Sequence, residues 1–583
     1  MAKDLATQLI EQLQAAGVRR IYGIVGDSLN PLVDAVRQTG GSAKGGIDWV
    51  HVRHEEAAAF AAAAEAQLTG RLAVCAGSCG PGNLHLINGL YDANRTGAPV
   101  LAIASHIPSK QIGSGFFQET HPDRIFNECS VYSELISTPV QAPRVMHSAI
   151  QHAVGLGGVS VVTIPGDLAG MEATASTPHT APFVRGTLVP DEASVRALAD
   201  AINDAGKVAI FAGAGVEGAH DEVIALAETI GAPVGHSLRG KDFIQYDNPF
   251  DIGMTGLLGY GAAAAGIEGA DLLLLLGTDF PYDQFLPEGV RTAQVDRAPQ
   301  HLGRRTDVDL AVHGDVLPTL MALLPLLKRK RSRRFLDQML KKHDRLMNKS
   351  VGAYTRKAEK LTPIHPEYAA SILDQVADDD AVFTADTGMC NVWTARYINP
   401  LGTRRLIGSY LHGSMANALP HAIGAQFAYP GRQVISVSGD GGLSMLLGEL
   451  LTAAAYKLPL NVVVFNNSTL GMVKLEMLVD GLPDFGVDVP QANYAAVAQA
   501  MGFHAVRVTD PSRIEAAYRE AFAHPGPSLV ELITDPRALS IPPKVTGSQV
   551  FGFATAMSKV VLNGGAGEAV SMARSNIRNV PRR

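Results

Sequence analysis

Asp440 stands between glycines in Ser438-Gly439-Asp440-Gly441-Gly442, directly after the apolar run Val434-Ile435-Ser436-Val437. Asn466-Asn467 closes a second such run, Asn461-Val462-Val463-Val464-Phe465, with 24 residues between Gly441 and Asn466. Both runs are strand-length and rich in β-branched residues, and the span between them suffices for a helix and a return strand. The pattern predicts two strands whose carboxyl ends converge, the edge at which open α/β sheets bind ligands. A hard divalent cation such as Mg2+ seeks near-octahedral oxygen ligation. Asp440, the Asn467 amide oxygen and the backbone carbonyl near Thr469 could supply part of it, and diphosphate oxygens the rest. Gly441 and Gly442 let phosphate oxygens approach the backbone, and the helix start behind them offers N–H groups. A lone Gly-Asp-Gly is an ordinary turn; its specificity comes from Asn-Asn at this distance, with both motifs at strand ends.

At this spacing the chain resembles the thiamine diphosphate enzymes, whose signature is Gly-Asp-Gly, two dozen or so residues, then Asn-Asn. The resemblance runs almost end to end. It implies an α/β protein of three doubly wound parallel-sheet domains: 1–184 for the cofactor pyrimidine, 185–340 as a central FAD-binding domain, and 341–539 for the cofactor pyrophosphate. Residues 540–583 form a tail. By the same resemblance, Asp440, Asn467 and Thr469 are the metal ligands. Thiamine diphosphate is expected along Asp440, Gly441, Gly442, Asn467, Ser468, Thr469, Leu470, Gly471, Met472 and Val473.

Thiamine diphosphate is useful only if its thiazolium C2 loses a proton to the cofactor's own aminopyrimidine, and a carboxyl group must hydrogen-bond the opposite ring nitrogen to favour the imino tautomer. Family members place a Glu after the second strand of the pyrimidine domain. In Trp49-Val50-His51-Val52-Arg53-His54-Glu55-Glu56-Ala57 the candidate is Glu55, at a strand-to-helix junction. Read alone, Glu55-Glu56 is an acidic first helical turn stabilised by the helix dipole. In His412-Gly413-Ser414-Met415 the resemblance makes the Gly413 carbonyl a partner of the pyrimidine amino group. It makes Met415 the apolar wedge that bends the cofactor, although Met415 by itself reads as a core residue. Since pyrimidine and pyrophosphate domains of one site come from different subunits in this family, a homodimer is the minimum assembly and a tetramer is expected.

The middle block separates the family members. Gly253-Met254-Thr255-Gly256 and Gly277-Thr278-Asp279-Phe280-Pro281 stand at strand ends with glycines suited to a dinucleotide pyrophosphate, and Asp296 ends another strand, where it could meet a ribose or adenine edge. None is a Gly-x-Gly-x-x-Gly fingerprint, and Gly213-Ala214-Gly215 is a weak signal alone. Together with Gly113-Ser114-Gly115-Phe116-Phe117-Gln118-Glu119-Thr120-His121-Pro122 and Cys79-Gly80-Pro81-Gly82-Asn83, they resemble the bacterial pyruvate dehydrogenases that reduce quinone, also called pyruvate oxidases. The implied reaction is decarboxylation of pyruvate, passage of two electrons to FAD and onward to a membrane quinone, and release of acetate. Glu55 together with Phe117, Gln118, Met472 and Glu476 are the catalytic candidates. Met472 and Glu476 share a helix face at i, i+4, but equally fit a core residue and a solvated acid. The alternatives are an acetolactate synthase-like carboligase, whose FAD is bound without net oxidation, and a non-enzymatic relic serving as scaffold or nucleic-acid binder.

The elements behind these residues read as three blocks of alternating strand and helix. In the first, Ile21–Val25, Ala73–Ala76, Val100–Ala104 and Val159–Ile164 are strands. The second has Val208–Ala212 and Leu272–Leu276, followed by a helix over Leu317–Leu327. The third, starting near Ile364, has Ala381–Thr384, Val434–Ser438, Asn461–Phe465 and Ser528–Leu532. Ala173 to about Pro190, rich in Thr, Pro, Ala and Ser, reads as a linker.

At 583 residues, 46% hydrophobic and 18% charged, the chain has the composition of a multidomain globular protein. A net charge of −7 gives no general attraction to nucleic acid, so none is expected as a partner. The basic run Lys328-Arg329-Lys330-Arg331-Ser332-Arg333-Arg334 reads as a solvated inter-domain face. Four cysteines without zinc-site spacing read as buried reduced thiols, which fits the cytosol. Met1–Thr7 leads directly into a helical pattern and not into a signal peptide, and no apolar stretch reaches the ~20 residues of a membrane span. A quinone reductase must nonetheless reach lipid. Glu568–Arg583 has a net charge of +3 from Arg574, Arg578, Arg582 and Arg583 against one acid, and Val570, Ala573 and Ile577 form one narrow stripe. The expectation is a cytoplasmic enzyme held peripherally on the inner face of the membrane by this tail, whose removal after about Gly564 weakens lipid binding. The same tail could instead dock on the protein.

Overall fold

The computed structural model describes residues 3–174, 185–539, 555, 556, 570, 572, 574–576 and 578. Most of the expected linker and tail, including Glu568, Ala573, Ile577, Arg582 and Arg583, therefore lies outside the described residues.

Three sheets follow one another along the chain. The first holds β1 (Arg20–Gly23), β2 (Asp48–His51), β3 (Ala73–Gly77), β4 (Val100–His106), β5 (Tyr132–Leu135) and β6 (Val159–Pro165), in the order β2-β1-β3-β4-β6-β5 and parallel throughout. The central sheet holds β7 (Val208–Ala212), β8 (Val234–His236), β9 (Asp251–Met254), β10 (Tyr260–Gly261), β11 (Leu272–Leu276), β12 (Arg291–Asp296) and β13 (Leu310–His313), in the order β10-β9-β8-β7-β11-β12-β13. It is parallel except for its terminal pair, β9 and β10, which run antiparallel. The third comprises β14 (Val382–Ala385), β15 (Arg405–Gly408), β16 (Val434–Gly439), β17 (Leu460–Asn466), β18 (His504–Val508) and β19 (Ser528–Ile533), again all parallel, in the order β15-β14-β16-β17-β19-β18. Helices cover both faces of parallel sheets, so the central strands β4, β6, β7, β11 and β17 are buried at every position and read as continuous apolar runs.

The helix Glu55–Thr69 leans on the helix Ala418–Ala428 of the third body. Ala57 to Ala64 are all buried, and Gly424 is needed at the crossing because a Cβ there would lie 2.1 Å from the Ala61 carbonyl oxygen. Asp92 and His421, both fully buried, face each other at 3.3 Å across the same contact. The expected helix over Leu317–Leu327 is Val316–Leu323, completed by a 3-10 turn, Leu324–Leu326. The basic run that follows is exposed except for Lys330, which is half-buried. The boundary expected at 340 falls inside the helix Arg334–Lys349, whose Leu336 and Leu340 pack on the central core.

Candidate active site

β16 and β17 are neighbours, with Gly439 opposite Phe465, so the Asp440 and Asn466-Asn467 segments leave the sheet side by side. Asp440 opens the helix Asp440–Met445 and is 2% exposed. Burial pushes its carboxyl up to about 6, although the backbone N–H groups of Gly441, Asp440, Ser468 and Asn467 pull the other way. Its Oδ2 is buried with no hydrogen-bond partner. The two asparagines divide the work. Asn466 donates to Glu531 Oε1 at 2.7 Å and accepts from Ser468 N, which fixes the strand end. Asn467 Oδ1 accepts from Thr469 N at 3.2 Å, while the Thr469 carbonyl accepts from Gly471 N.

Gly441 and Gly442 are required by what lies over them. A Cβ on Gly441 would sit 2.7 Å from Leu470 Cδ2 and 3.4 Å from Met415 Cε, and one on Gly442 would sit 2.0 Å from Asp386 Oδ2. Met415, Leu470 and the Gly-Asp-Gly turn are thus brought together. Asp386 follows β14 and is a buried carboxyl that motif reading missed. Burial pushes it up to about 7, its Oδ1 accepts from Thr387 N and Asn417 Nδ2, and its Oδ2 has no hydrogen-bond partner. Gly413 takes a positive φ of 76°, Ser414 Oγ donates to the Met415 carbonyl, and Asn88 donates to both Ser414 Oγ and Glu56 Oε1. Gly471 starts the helix Gly471–Val479, where Met472 packs partly buried against the core, Val473 is exposed, and burial raises the Glu476 carboxyl. Burial, and after it the Glu476 charge, raise the Tyr282 phenol of the central body.

Glu55 begins its helix after β2 and is 6% exposed. Its Oε2 lies 2.9 Å from His85 Nδ1, and its Oε1 would be 3.0 Å from a Cβ on Gly82, so both neighbours belong to the first body. His85 sits on the separate helix Pro81–Thr96, and no local sequence signal announces it. Gln118, at φ 62°, accepts a bond from Cys79 Sγ at 3.4 Å. The Glu119 carboxylate accepts from Gly113, Gly115 and Phe116 N–H groups, which hold it below the usual range and shape the loop that thrusts Phe117 out, 77% exposed. Beside them a cavity of about 200 Å³ is lined by Asp27, Ser28, Cys79, His106, Phe117 and Gln118 among others. Within one chain, then, the Glu55 and Asp440 segments belong to different bodies. Both carry exposed apolar side chains: Val25, Leu84 and Phe117 on one, Met445, Leu451 and Phe485 on the other.

The central strand ends close on themselves. Gly213 and Gly215 would clash with Gly277 if either bore a Cβ, so these glycines permit loop-on-loop packing. Gly253 shapes the β9–β10 turn, Gly256 abuts the Phe280 ring, and Met254 is core. Asp279 accepts from Arg304 Nε and Arg305 Nε, each at 3.0 Å. Asp296 accepts from Ala298 N and faces His301 at 3.3 Å. Thr278 is buried with its carbonyl bonded by Gln294, Pro281 follows Phe280 into the loop, and the buried Thr255 Oγ1 has no partner. Arg304 and Arg305 were not among the expected residues; the Gly303-Arg304-Arg305 turn is their one sequence cue.

Among the described residues no helix is long and apolar enough to cross a membrane, and all four cysteines are free and buried. The described tail residues pack on the third body: Met572 joins Leu478, Leu539 and Ala556, and Asn576 bonds both Leu539 N and the Arg537 carbonyl.

Models of the thiamine pyrophosphate enzyme N-terminal, central and C-terminal domains match residues 3–125, 195–323 and 386–532. The chain is 35% identical over 559 residues, 96% of each chain, to a Bacillus subtilis (strain 168) protein designated as thiamine pyrophosphate-containing. It is 31% identical over 543 residues to the pyruvate oxidase of Lactiplantibacillus plantarum, covering 91% of this chain and 89% of that one. It is 30% identical over 558 residues to a probable acetolactate synthase large subunit of Methanocaldococcus jannaschii, covering 91% and 92%. Three sheets in this order, with a buried unpartnered carboxylate at the matched C-terminal motif, make the chain a member of the thiamine pyrophosphate enzyme family.

Proposed function

We propose that this enzyme carries out the oxidative decarboxylation of pyruvate to acetate and CO2, using thiamine diphosphate, Mg2+ and FAD, with a membrane quinone as final acceptor. The observation that carries the cofactor assignment is Asp440: a carboxylate oxygen buried without a partner is costly unless a cation or proton meets it, and a diphosphate-bound Mg2+ fits that need. Asp440, Asn467 and the Thr469 carbonyl would hold the metal, Gly441, Gly442 and Ser468 to Val473 would line the diphosphate, and Met415 would support the ring system. Bound thiamine diphosphate supplies a carbon nucleophile for a 2-keto acid. Glu55 holds a proton at the pyrimidine, with His85 fixing its carboxylate; Gln118 and Glu476 bind the substrate carboxylate and carbonyl region, and Phe117 and Met472 exclude water.

Glu55 and Asp440 lie on separate half-sites with exposed apolar rims, so this reading includes a homodimer that closes them across two chains, and a tetramer as the full assembly. It keeps the division at 184 and 539. FAD, which supplies a two-electron sink, is placed at the central sheet. The orphaned Thr255 hydroxyl is one polar group there with capacity to spare, and two guanidiniums against the single Asp279 leave positive charge for a diphosphate. The Glu476 charge acts on Tyr282, so the candidate substrate helix lies within electrostatic reach of these loops. Arg574 and Arg578 of the tail are the described residues offered to an anionic lipid surface.

Anaerobic mixing with pyruvate tests the reading: the flavin bleaches and acetate forms, and added quinone restores the colour. The likeness to acetolactate synthases favours one other reading, a carboligase. Acetolactate released while the flavin stays oxidised would establish it and end the oxidase proposal.

A further inference from the structure

β2 is the edge strand of the first sheet, so one row of its main-chain groups faces away from β1. Asp48 and Val52 donate inward, to the Arg19 and Gly23 carbonyls, which leaves Trp49, His51 and Arg53 facing outward. A strand edge in this position usually relies on water or a partner strand. Here side chains from one helix of the third body take its place. Tyr456 O–H donates to the Trp49 carbonyl at 3.2 Å and accepts from His51 N at 2.8 Å. Glu449 Oε1 then accepts from both Arg53 N and His54 N at 2.9 Å. Thr452 Oγ1 donates to the other carboxylate oxygen at 2.7 Å. Glu449, Thr452 and Tyr456 fall at i, i+3 and i+7, so the helix Glu449–Ala455 and its C-cap present one face to the strand. Gly448 also lies next to the strand, where a Cβ would stand in ordinary van der Waals contact with Arg53 Cβ, at 3.7 Å.

We infer that Glu449 is a positioning residue for Glu55, gripping the two amides that immediately precede it and so setting where the Glu55 carboxylate points. The inference rests on the proposed role of Glu55 in activating thiamine diphosphate. Glu449 is 1% exposed, and its three hydrogen bonds all come from groups of fixed geometry or short reach. A carboxylate this deep is poorly used as mere surface glue between bodies; bifurcated acceptance at consecutive amides fixes the direction of the chain as it enters the helix. Removing it strands two partly buried donors at the residue pair next to Glu55. Glu55 meets His85 Nδ1 at 2.9 Å, and a Cβ on Gly82 would crowd its other oxygen at 3.0 Å, so a small shift at its base is felt at its tip.

The test uses full-length Glu449→Ala, Glu449→Gln, Tyr456→Phe and Glu55→Gln, with three readouts: amide hydrogen exchange of residues 49–54 in the apoenzyme, affinity for Mg2+ and thiamine diphosphate, and the exchange rate of the cofactor C2 proton. In Glu449→Ala the Arg53 and His54 amides lose protection and the C2 exchange slows by about tenfold to a hundredfold, the scale of a misplaced catalytic group. Cofactor affinity stays within about threefold, because the metal ligands are untouched. Glu449→Gln keeps an acceptor oxygen for both amides and restores exchange, and Tyr456→Phe gives a smaller fall. If Glu449→Ala binds cofactor and exchanges its proton at the parental rate, the inference is wrong. Should that variant fail to fold, an unchanged C2 exchange in Tyr456→Phe overturns it equally. Parental exchange in Glu55→Gln would instead overturn the role of Glu55 itself.

Discussion

The carboxyl ends of the third and central sheets are built alike, from parallel strands, glycine turns and acidic residues, yet they solve opposite problems. At the third sheet, Asp440 and Asp386 each keep a buried oxygen without a hydrogen-bond partner, and burial pushes both carboxyls up, to about 6 and about 7. At the central sheet, Asp279 is held by two arginines and Asp296 by a backbone N–H and His301, and the glycines are filled by one another. One edge is incomplete as protein and the other is nearly self-sufficient. The difference lies in the carboxyls: those of the third sheet keep unpartnered oxygens, while those of the central sheet are paired within the chain.

The largest expected effect follows from the incomplete edge. Asp440→Asn should abolish retention of thiamine diphosphate with Mg2+ in gel filtration, a loss of about a hundredfold or more in affinity, because the one carboxylate ligand is gone. The apoprotein should respond oppositely. A carboxyl raised by burial stabilises the fold fully below its unfolded value near 4, and that contribution is lost as pH rises through about 6. Apo Asp440→Asn should therefore melt higher than the parent at pH 8 and nearly equal to it at pH 4. A parent that melts higher at pH 8 would show that Asp440 is satisfied within the chain, and the contrast between the two edges would fail.

Next in size is Glu55→Gln, which keeps the shape of the half-site but removes the acid. Turnover should fall by about a hundredfold or more, while the cofactor is still retained on gel filtration. Loss of cofactor together with activity would make Glu55 a binding residue and would move the demand for a ligand to the first body as well.

How far the sequence foretold this depends on the same contrast. β7 and β11 match their expected runs residue for residue, and β4, β6, β16 and β17 lie within two residues, because strands buried on both faces must be apolar throughout. Strands β5, β8, β10, β13, β15 and β18 carry no such run: β8 is an interior strand of only three residues, the other five are sheet edges, and β5 and β13 are largely half-exposed or exposed. The pairing of Asp440 with Asn466-Asn467 was legible because the two motifs close neighbouring strands a fixed distance apart. Asp386, His85 and Glu449 were not, since each reaches its partner from a separate element, as His85 does across 30 residues to Glu55. Of the central glycines expected to suit a dinucleotide pyrophosphate, Gly277 also packs against Gly213 and Gly215, a contact that no sequence motif announces.

The central edge therefore makes a smaller prediction. Arg304→Ala and Arg305→Ala should each weaken FAD retention by about tenfold, the scale of one charge-assisted contact, with thiamine diphosphate affinity unchanged. Flavin content after dialysis and the rate of anaerobic bleaching measure it. FAD held as tightly in the double variant would mean that the excess positive charge has another use and that the flavin, if present, binds elsewhere.

The smallest effect lies where the tail meets the third body, a contact that is self-sufficient only at neutral pH. The His365 ring stacks on Tyr354 at 3.7 Å, and its Nε2–H donates to the Ser575 carbonyl at 3.2 Å. Burial holds His365 down to about 4, with Asp535 opposing and Arg578, which lies over the other part of the Tyr354 ring system at 5.2 Å, assisting. A folded-state value below the unfolded 6.5 means that the stabilisation is fully present above pH 6.5 and is lost as pH falls toward 4. Protonation would bury a cation beside the Arg578 guanidinium, with Asp535 as an acid opposing it. Tryptic cleavage after Arg574 and Arg578 should thus quicken between pH 7 and pH 5 after correction for the protease's own pH dependence, with a shift in melting of about 2–4 °C. His365→Gln, which never charges, should remove that pH dependence while leaving Asp440-dependent cofactor retention as it was. A tail released equally at both pH values would mean that Met572 and Asn576 alone hold it, and that its docking does not respond to acid.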